Sequence, residues 1–189
     1  MGHKHKHEHE HAHEHEHGHE HGKVPREHKA RAPRSAKVYV VTCSDSRSEA
    51  TDEGGRILRE GLAAAGHELA GSAIVPDDPQ RIEAELDLAR ELGAQFALIT
   101  GGTGLSSRDS TFEALSRLLA RPLPGFGELF RKLSYEEIGS AAMLSRAVAG
   151  QLASGLFVFA MPGSPAAVRL ACEKLILPEL THILEELSR

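Results

Sequence analysis

From Lys37 onward, short apolar runs alternate with longer stretches in which apolar residues recur every three or four positions. The run at residues 38–41 is apolar and mostly β-branched, and a similar run covers residues 96–100. Such runs predict buried strands, whereas the stretches between them have the spacing of helices about 10 to 15 residues long. Strands that alternate with helices form right-handed βαβ units and a mostly parallel sheet. This part of the chain is therefore predicted to have a three-layer α/β fold, with helices flanking a mostly parallel sheet.

Two further strands are predicted, over about residues 69–75 and 156–161. The last strand breaks at Pro162-Gly163-Ser164-Pro165, and a final helix is predicted on Val168, Cys172 and Leu175. Residues 121–154 are predicted to be helical, with interruptions at proline and glycine.

Several residues mark helix ends. Asp78 is predicted to cap a helix whose first position is Pro79. Gly66 and Gly93 are placed to end the two helices that precede them. Ser110 and Glu113 have the spacing of a capping box at the start of a further helix.

The first 34 residues differ sharply in composition from the rest. Ten histidines alternate with other residues in this segment: His3, His5, His7, His9, His11, His13, His15, His17, His19 and His21. Because almost nothing apolar is available to bury, residues 1–36 are predicted to be a disordered tail and linker, and residues 37–189 to be one domain. Neutral imidazole binds Zn, Ni, Co and Cu, which favours a loose transition-metal tail. A solvated segment without a role, an added tag and a pH-responsive segment remain alternatives.

The charge balance and the cysteines exclude several classes of protein. The chain has 22 basic and 27 acidic side chains, and no basic stripe is present, so no nucleic-acid partner is expected. Neither a signal peptide nor an apolar run of about 18 residues occurs, so no membrane association is expected. Cys43 and Cys172 cannot form a disulfide framework, which favours a cytoplasmic protein.

A glycine-rich sequence follows the predicted strand at residues 96–100. It reads Gly101-Gly102-Thr103-Gly104-Leu105, and we refer to residues 101–105 as the glycine loop. Glycines let backbone N–H groups approach phosphate oxygens, and the helix that follows adds positive partial charge. The loop matches neither a Walker loop nor a dinucleotide fingerprint. We predict an anion-binding loop, and a tight strand-to-helix turn is the alternative.

Two carboxylates and one arginine are candidates to work with this loop. Asp77 follows a predicted strand, and its neighbour Asp78 already supplies the helix cap. Asp77 and Asp109 together would suit Mg²⁺-dependent phosphoryl or nucleotidyl transfer, although Asp109 would also be stabilised simply by lying at a helix start. Ser145 and Arg146 could clamp a further phosphate, but a solvated helix face explains the arginine equally well.

The sequence Cys43-Ser44-Asp45-Ser46-Arg47 has the form of the Cys-x-Asp-x-Arg zinc motif of β-class carbonic anhydrases. That site also needs a histidine and a second cysteine three residues apart, and this chain has Arg169 three residues before Cys172. A zinc site with half of its ligands is incomplete, so we interpret Cys43 as a small residue at a strand end and Cys172 as a core residue.

Over about residues 37–186 the chain resembles the MoaB/MogA family of molybdenum cofactor biosynthesis proteins. The matching blocks are Thr42-Cys43-Ser44-Asp45-Ser46-Arg47, Gly101-Gly102-Thr103-Gly104 with Arg108-Asp109, Gly125-Phe126-Gly127-Glu128, Leu144-Ser145-Arg146-Ala147-Val148-Ala149-Gly150 and Met161-Pro162-Gly163-Ser164-Pro165. The chain departs from the family pattern at Cys43 and at Thr111-Phe112-Glu113, where the family usually has Thr-Pro-Glu, and its histidine-rich tail lies outside that pattern.

The resemblance implies a trimeric or hexameric enzyme that adenylylates molybdopterin with Mg-ATP and releases pyrophosphate. Asp77 and Asp109 would be catalytic and hold Mg²⁺. Gly101, Gly102, Thr103, Gly104, Ser145 and Arg146 would bind phosphate or molybdopterin, and Ser44, Asp45, Pro162, Gly163 and Ser164 would bind the nucleotide. A downstream molybdate-insertion protein would be a partner. The alternative is a non-catalytic molybdopterin carrier whose tail buffers or delivers metal.

Overall fold

The alternating apolar runs form the centre of a single sheet. A computed structural model describes residues 35–106 and 109–189, and within these ranges six strands pair in the order β2-β1-β3-β6-β5-β4. The strands are β1 (Lys37–Cys43), β2 (Glu68–Val75), β3 (Phe96–Thr100), β4 (Leu119–Pro122), β5 (Val148–Leu152) and β6 (Phe157–Met161). Strands β2, β1, β3 and β6 are parallel, and β5 and β4 continue the sheet antiparallel. The predicted α/β fold with a mostly parallel sheet is confirmed.

Helices cover both faces of the sheet. They are α1 (Glu53–Ala64), α2 (Pro79–Glu91), α3 (Thr111–Leu118), α4 (Pro124–Ile138), α5 (Pro165–Ala171) and α6 (Leu180–Leu187), with a 3₁₀ segment at Gly139–Leu144 and a π-helical turn at Cys172–Ile176. Side chains alternate across β1, because successive residues of a strand point to opposite faces. Val38 and Val40 pack with α1, α4 and α5, whereas Tyr39 and Val41 pack with α2 and α3. The result is the predicted arrangement of three layers.

The helix ends predicted at Asp78, Gly66 and Gly93 are observed. The Asp78 carboxylate accepts hydrogen bonds from the backbone N–H groups of Gln80 and Arg81, and Pro79 is the first residue of α2. Gly66 and Gly93 follow α1 and α2 with φ of 77° and 75°. None of the helices in the described ranges is long and apolar enough to cross a membrane.

Two strands were not predicted, because residues 121–154 were expected to be helical. The structure has α4 there, but β4 overlaps the start of the segment and β5 lies near its end. Gly150 explains the close pairing of these strands, since a Cβ at this position would lie 2.4 Å from the carbonyl oxygen of Arg121. The pairing is irregular between Leu119 and Arg121, and β4 ends at Pro122.

The final helix is also less regular than expected. Val168 and Cys172 are buried as predicted, but α5 ends at Ala171 and the chain continues as the π-helical turn before α6. The predicted tail and the boundary at residue 37 stay predictions, because residues 1–34 lie outside the described part of the chain.

The fold brings the polar loops to one edge. The carboxyl ends of parallel strands meet at the same side of a sheet, where α/β proteins bind ligands. The loops that follow β1, β2, β3 and β6 contain Ser44, Asp77, the glycine loop and Pro162, respectively.

Candidate functional site

The glycine loop lies between the ends of two neighbouring strands. The Gly101 N–H donates to the carbonyl oxygen of Met161 at 3.1 Å, and the Thr100 hydroxyl donates to the carbonyl of Pro162 at 3.3 Å. A Cβ added to Gly163 would lie 3.2 Å from the Gly101 Cα, so the turn after β6 packs directly on the loop. The segments predicted to bind phosphate and nucleotide are therefore in contact.

The three central carbonyl groups of the glycine loop accept hydrogen bonds from the protein. The Gly102 carbonyl accepts from the Thr111 N–H at 3.1 Å, and the Thr103 carbonyl accepts from Arg146 Nε at 2.7 Å. The Gly104 carbonyl accepts from Arg146 Nη2. By contrast, no acceptor within residues 35–106 and 109–189 pairs with the N–H groups of Thr103, Gly104 or Leu105. The loop therefore presents donors, which is the polarity an anion requires.

Asp77 reaches the loop from the end of β2. Its carboxylate accepts hydrogen bonds from the Ser110 hydroxyl at 3.0 Å, the Ser110 N–H at 3.1 Å and the Thr111 hydroxyl at 2.9 Å. It also lies against Gly102, which has φ of 62°, and a Cβ on Gly102 would lie 2.2 Å from Asp77 Oδ2. Only glycine fits this contact and this backbone conformation.

The predicted capping box at Ser110 and Glu113 is wrong. Ser110 precedes α3, but its hydroxyl donates to Asp77 instead of accepting from the helix, and it makes no side-chain cap. Glu113 pairs with Arg146 rather than with the Ser110 backbone. Both side chains hold parts of the site together, and this tertiary role replaces the local one.

Asp109 approaches the same loop from its other end. Its Oδ2 accepts from the Ser106 N–H at 3.1 Å and would lie 2.6 Å from a Cβ on Gly104. Asp77 therefore contacts Gly102 while Asp109 contacts Gly104, two residues further along the loop. The structure brings the two predicted carboxylates to one segment, and their catalytic role stays a prediction.

Arg146 is adjacent to the loop, but its guanidinium is engaged by protein groups. Besides the carbonyls of Thr103 and Gly104, it contacts the Glu113 carboxylate and lies 4.7 Å from the centre of the Phe112 ring. The hydrogen bond from Arg146 lowers the pKa of the Glu113 carboxyl from its ordinary value. Ser145, which precedes it, is half-buried and closes the 3₁₀ segment through its N–H.

A buried carboxylate that the sequence did not single out stabilises the loop after β1. Asp52 is 2% exposed, caps α1 through the Gly55 N–H at 2.9 Å and accepts from the Thr42 hydroxyl at 3.1 Å. Arg47 and Arg59 lie 3.9 and 3.4 Å from its oxygens. The available signal was an aspartate directly before Glu53, in the position of an N-cap.

Arg47 connects this buried carboxylate to the turn after β6. Its Nη2 donates to the Gly163 carbonyl at 2.7 Å, so Asp52 and the glycine loop are joined through Gly163. A polar groove of about 570 Å³ adjoins Arg47, between the end of β2 and α1, and is lined also by Ser48, Arg59 and Ser72.

The remaining predicted nucleotide residues have local roles. The Ser44 hydroxyl accepts from the N–H groups of Ser46 and Arg47, and the Ser164 hydroxyl caps α5 by accepting from Ala167. Asp45 is exposed. These residues lie at the same edge as the glycine loop, and nucleotide binding by them stays a prediction.

Cys43 ends β1 beneath the site. Burial raises the pKa of its thiol to about 12, and the neighbouring Asp77 carboxylate acts in the same direction. The thiol is therefore protonated, as befits the small buried residue predicted for this strand end. The ten predicted histidine ligands of the tail lie outside the described residues.

Known proteins share both the sequence and the fold. A family model described as "Probable molybdopterin binding domain" matches residues 39–182. Molybdenum cofactor biosynthesis protein B of Bacillus cereus is 50% identical over 165 residues, which cover 86% of this chain and 97% of that protein.

Solved structures agree with this match. A crystal structure of a molybdenum cofactor biosynthesis protein B is 49% identical with a TM-score of 0.79, and covers 84% of this chain and 99% of the other. The tungsten cofactor synthesizing protein MoaB of Pyrococcus furiosus is 38% identical with a TM-score of 0.77, over 84% and 100% of the two chains. The chain therefore belongs to the MoaB/MogA family of molybdopterin-binding proteins of molybdenum cofactor biosynthesis.

Proposed function

We propose that this protein is a cytoplasmic molybdopterin adenylyltransferase that uses Mg-ATP. The terminal phosphate of molybdopterin attacks the α-phosphorus of ATP through one of its oxygens. The bond between the α-phosphorus and the bridging oxygen to the β-phosphate breaks, and pyrophosphate leaves with the electron pair. Adenylylated molybdopterin then passes to a molybdate-insertion protein.

The observation that carries this proposal is the contact of two carboxylates with one donor-presenting loop. The N–H groups of Thr103, Gly104 and Leu105, which have no acceptor among the residues that the structure describes, suit the oxygens of a phosphate chain. Such donors stabilise charge that develops on phosphate oxygens as the leaving group departs.

The same arrangement fits a magnesium ion. Mg²⁺ in nucleotide sites is commonly held by one or two carboxylates together with substrate phosphates, and Asp77 and Asp109 provide that donor set beside the loop. When bound, Mg²⁺ neutralises phosphate charge. The chain's own contribution is to fix the two carboxylates: Ser110 and Thr111 hold Asp77, and the Ser106 N–H holds Asp109.

The test is pyrophosphate release by the full-length protein with molybdopterin, ATP and Mg²⁺. Asp109→Asn is the sharpest variant, because an asparagine oxygen still accepts from the Ser106 N–H while the charge is lost. Asp87→Asn, on the exposed side of α2, is the matched control. We expect the wild type and the control to be active and Asp109→Asn to lose about 100-fold or more in rate. If the wild type binds molybdopterin yet releases no pyrophosphate, the protein is a carrier.

We also propose that copies of this chain associate as a trimer or hexamer. Apolar side chains near the end of α4 and in the 3₁₀ segment are exposed, namely Tyr135 (64%), Ile138 (55%), Met143 (80%) and Leu144 (57%). Large apolar side chains exposed on two elements that pack together favour association. Sedimentation equilibrium at micromolar concentration tests this proposal, and a monomer would refute it.

A loose transition-metal site on the tail is the remaining proposal. It is supported by ten histidines at alternating positions, whose imidazoles bind Zn, Ni, Co and Cu.

A further inference from the structure

Two roles are open to Arg146: it binds substrate phosphate, or it holds other groups of the protein in place. Its contacts distinguish the two roles. Nε donates to the Thr103 carbonyl at 2.7 Å, Nη2 donates to the Gly104 carbonyl, and Nη1 donates to the Glu113 carboxylate. Its side chain is only 19% exposed. A guanidinium has five N–H donors, so most of its capacity is used within the protein.

The contacts with Thr103 and Gly104 determine where the loop's N–H groups point. In a trans peptide the C=O and the following N–H point in opposite directions. When Arg146 draws the Thr103 carbonyl toward itself, the Gly104 N–H is turned away from Arg146. The Gly104 carbonyl fixes the Leu105 N–H in the same way, and the bond from the Thr111 N–H to the Gly102 carbonyl fixes that of Thr103. None of these three N–H groups has an acceptor within residues 35–106 and 109–189.

Two side chains of α3 hold Arg146 in this position. Phe112 lies 4.7 Å from its guanidinium, a distance typical of a cation–π contact. Glu113 contributes the carboxylate, and its own side chain is 47% exposed. A carboxylate next to a phosphate-binding arginine would repel the phosphate, whereas it strengthens an arginine that holds carbonyl groups.

We propose that Arg146, held by Glu113 and Phe112, is a positioning residue that turns the Thr103 and Gly104 carbonyls away from bound phosphate and so orients the adjacent N–H groups toward it. The inference rests on the proposed function in one respect, namely that phosphates are the ligand of the loop. Arg146 itself makes no bond to the phosphates.

The opposite effects expected of Glu113→Ala provide the test. If Arg146 positions the loop, losing Glu113 loosens it, and Mg-ATP binding measured by calorimetry weakens by about tenfold. If Arg146 binds phosphate, losing Glu113 frees the guanidinium and removes a repelling charge, and Mg-ATP binding tightens. Glu83→Ala, on the exposed side of α2, is the matched control for a lost negative charge.

Arg146→Lys is the second variant, because it keeps the charge and lacks the forked geometry. We expect it to lose Mg-ATP affinity at least as strongly as Glu113→Ala, and we expect the double variant to be no worse than Arg146→Lys alone. Near wild-type affinity in Arg146→Lys would overturn the proposal.

Amide hydrogen exchange of the free, full-length protein separates this proposal from the proposed function. Both variants should increase exchange of the hydrogen-bonded N–H groups beside the three loop donors, namely those of Gly101, Ser106 and Thr111, whether or not the protein adenylylates molybdopterin. Unchanged exchange in both variants would refute the positioning role. Faster exchange without pyrophosphate release by the wild type would support the positioning role and refute the enzyme.

Discussion

Replacing Gly102 with alanine would place a methyl group in space that the site already uses. The added Cβ would lie 2.2 Å from both Asp77 Oδ2 and Thr111 Oγ1. Neither atom belongs to a long, flexible side chain, and Asp77 is held by three hydrogen bonds. Asp77 must therefore move, and its bonds to Ser110 and Thr111 must lengthen or break.

A control variant separates the expected loss of unfolding free energy into backbone strain and steric overlap. Gly66 has φ of 77°, close to the 62° of Gly102, but a Cβ at Gly66 would have no atom within 4 Å. Gly66→Ala should therefore cost only the backbone strain of a left-handed alanine, about 1–2 kcal/mol. Gly102→Ala adds steric overlap worth about 1–3 kcal/mol in a packed site, so we expect a total loss of about 2–5 kcal/mol.

Urea denaturation of both variants measures the difference in unfolding free energy, provided that the slope of the transition is unchanged. Pyrophosphate release should persist in Gly66→Ala and be lost in Gly102→Ala, because only the latter displaces Asp77. Equal stability losses together with equal activities would refute the close contact between Gly102 and Asp77.

Three further predictions concern other parts of the chain. Asp52→Ala should lower the unfolding free energy by about 3 kcal/mol, because it removes a buried carboxylate from two partly exposed arginines. Glu53→Ala, in an exposed pair, should lower it by about 0.5 kcal/mol or less in the same urea experiment. Similar losses in the two variants would contradict a stabilising role of the buried Asp52 carboxylate. Burial raises the pKa of Cys43 to about 12 and that of Cys172 to about 11, so the native state retains protons that the unfolded state releases above about pH 9. The unfolding free energy should therefore fall as the pH rises above about 9. Urea midpoints between pH 7 and 10 measure this fall, which should be shallower in Cys43→Ser. Deleting residues 1–34 should abolish Zn²⁺ and Ni²⁺ binding in calorimetry and leave pyrophosphate release intact, whereas loss of turnover would show that the tail takes part in catalysis.

Local patterns predicted the parts of the fold that depend on local chemistry. The Asp78-Pro79 pair marks the start of α2 because the cap and the fixed proline φ act within one turn. The segment at residues 38–41 predicted β1 because a strand buried on both faces is apolar throughout. Strands β4 and β5 escaped prediction because polar residues or glycine interrupt their apolar runs, and because the close pairing at Gly150 depends on Arg121, far away in the chain.

In the candidate site, too, local patterns predicted some features, whereas contacts between residues distant in sequence determine the others. The glycine loop, Asp77 and Asp109 could be singled out because each follows a strand or begins a helix. Ser110 and Glu113 were misread because their spacing satisfies a local rule, whereas Asp77 and Arg146, more than 30 residues away, engage their side chains. The carbonyl partners of Arg146 could not be predicted, because they lie 43 and 42 residues from it in sequence.

The two outer strands give the sheet unequal protection against aggregation. Strand β4 has only four residues and ends in Pro122, which has no N–H to offer an incoming chain. Strand β2 has eight residues, contains no proline and has β1 as its one strand partner within the described ranges. Exposed backbone of this length is a template for pairing between molecules. When the native structure is weakened, intermolecular sheets should therefore grow from β2, while β4 terminates them.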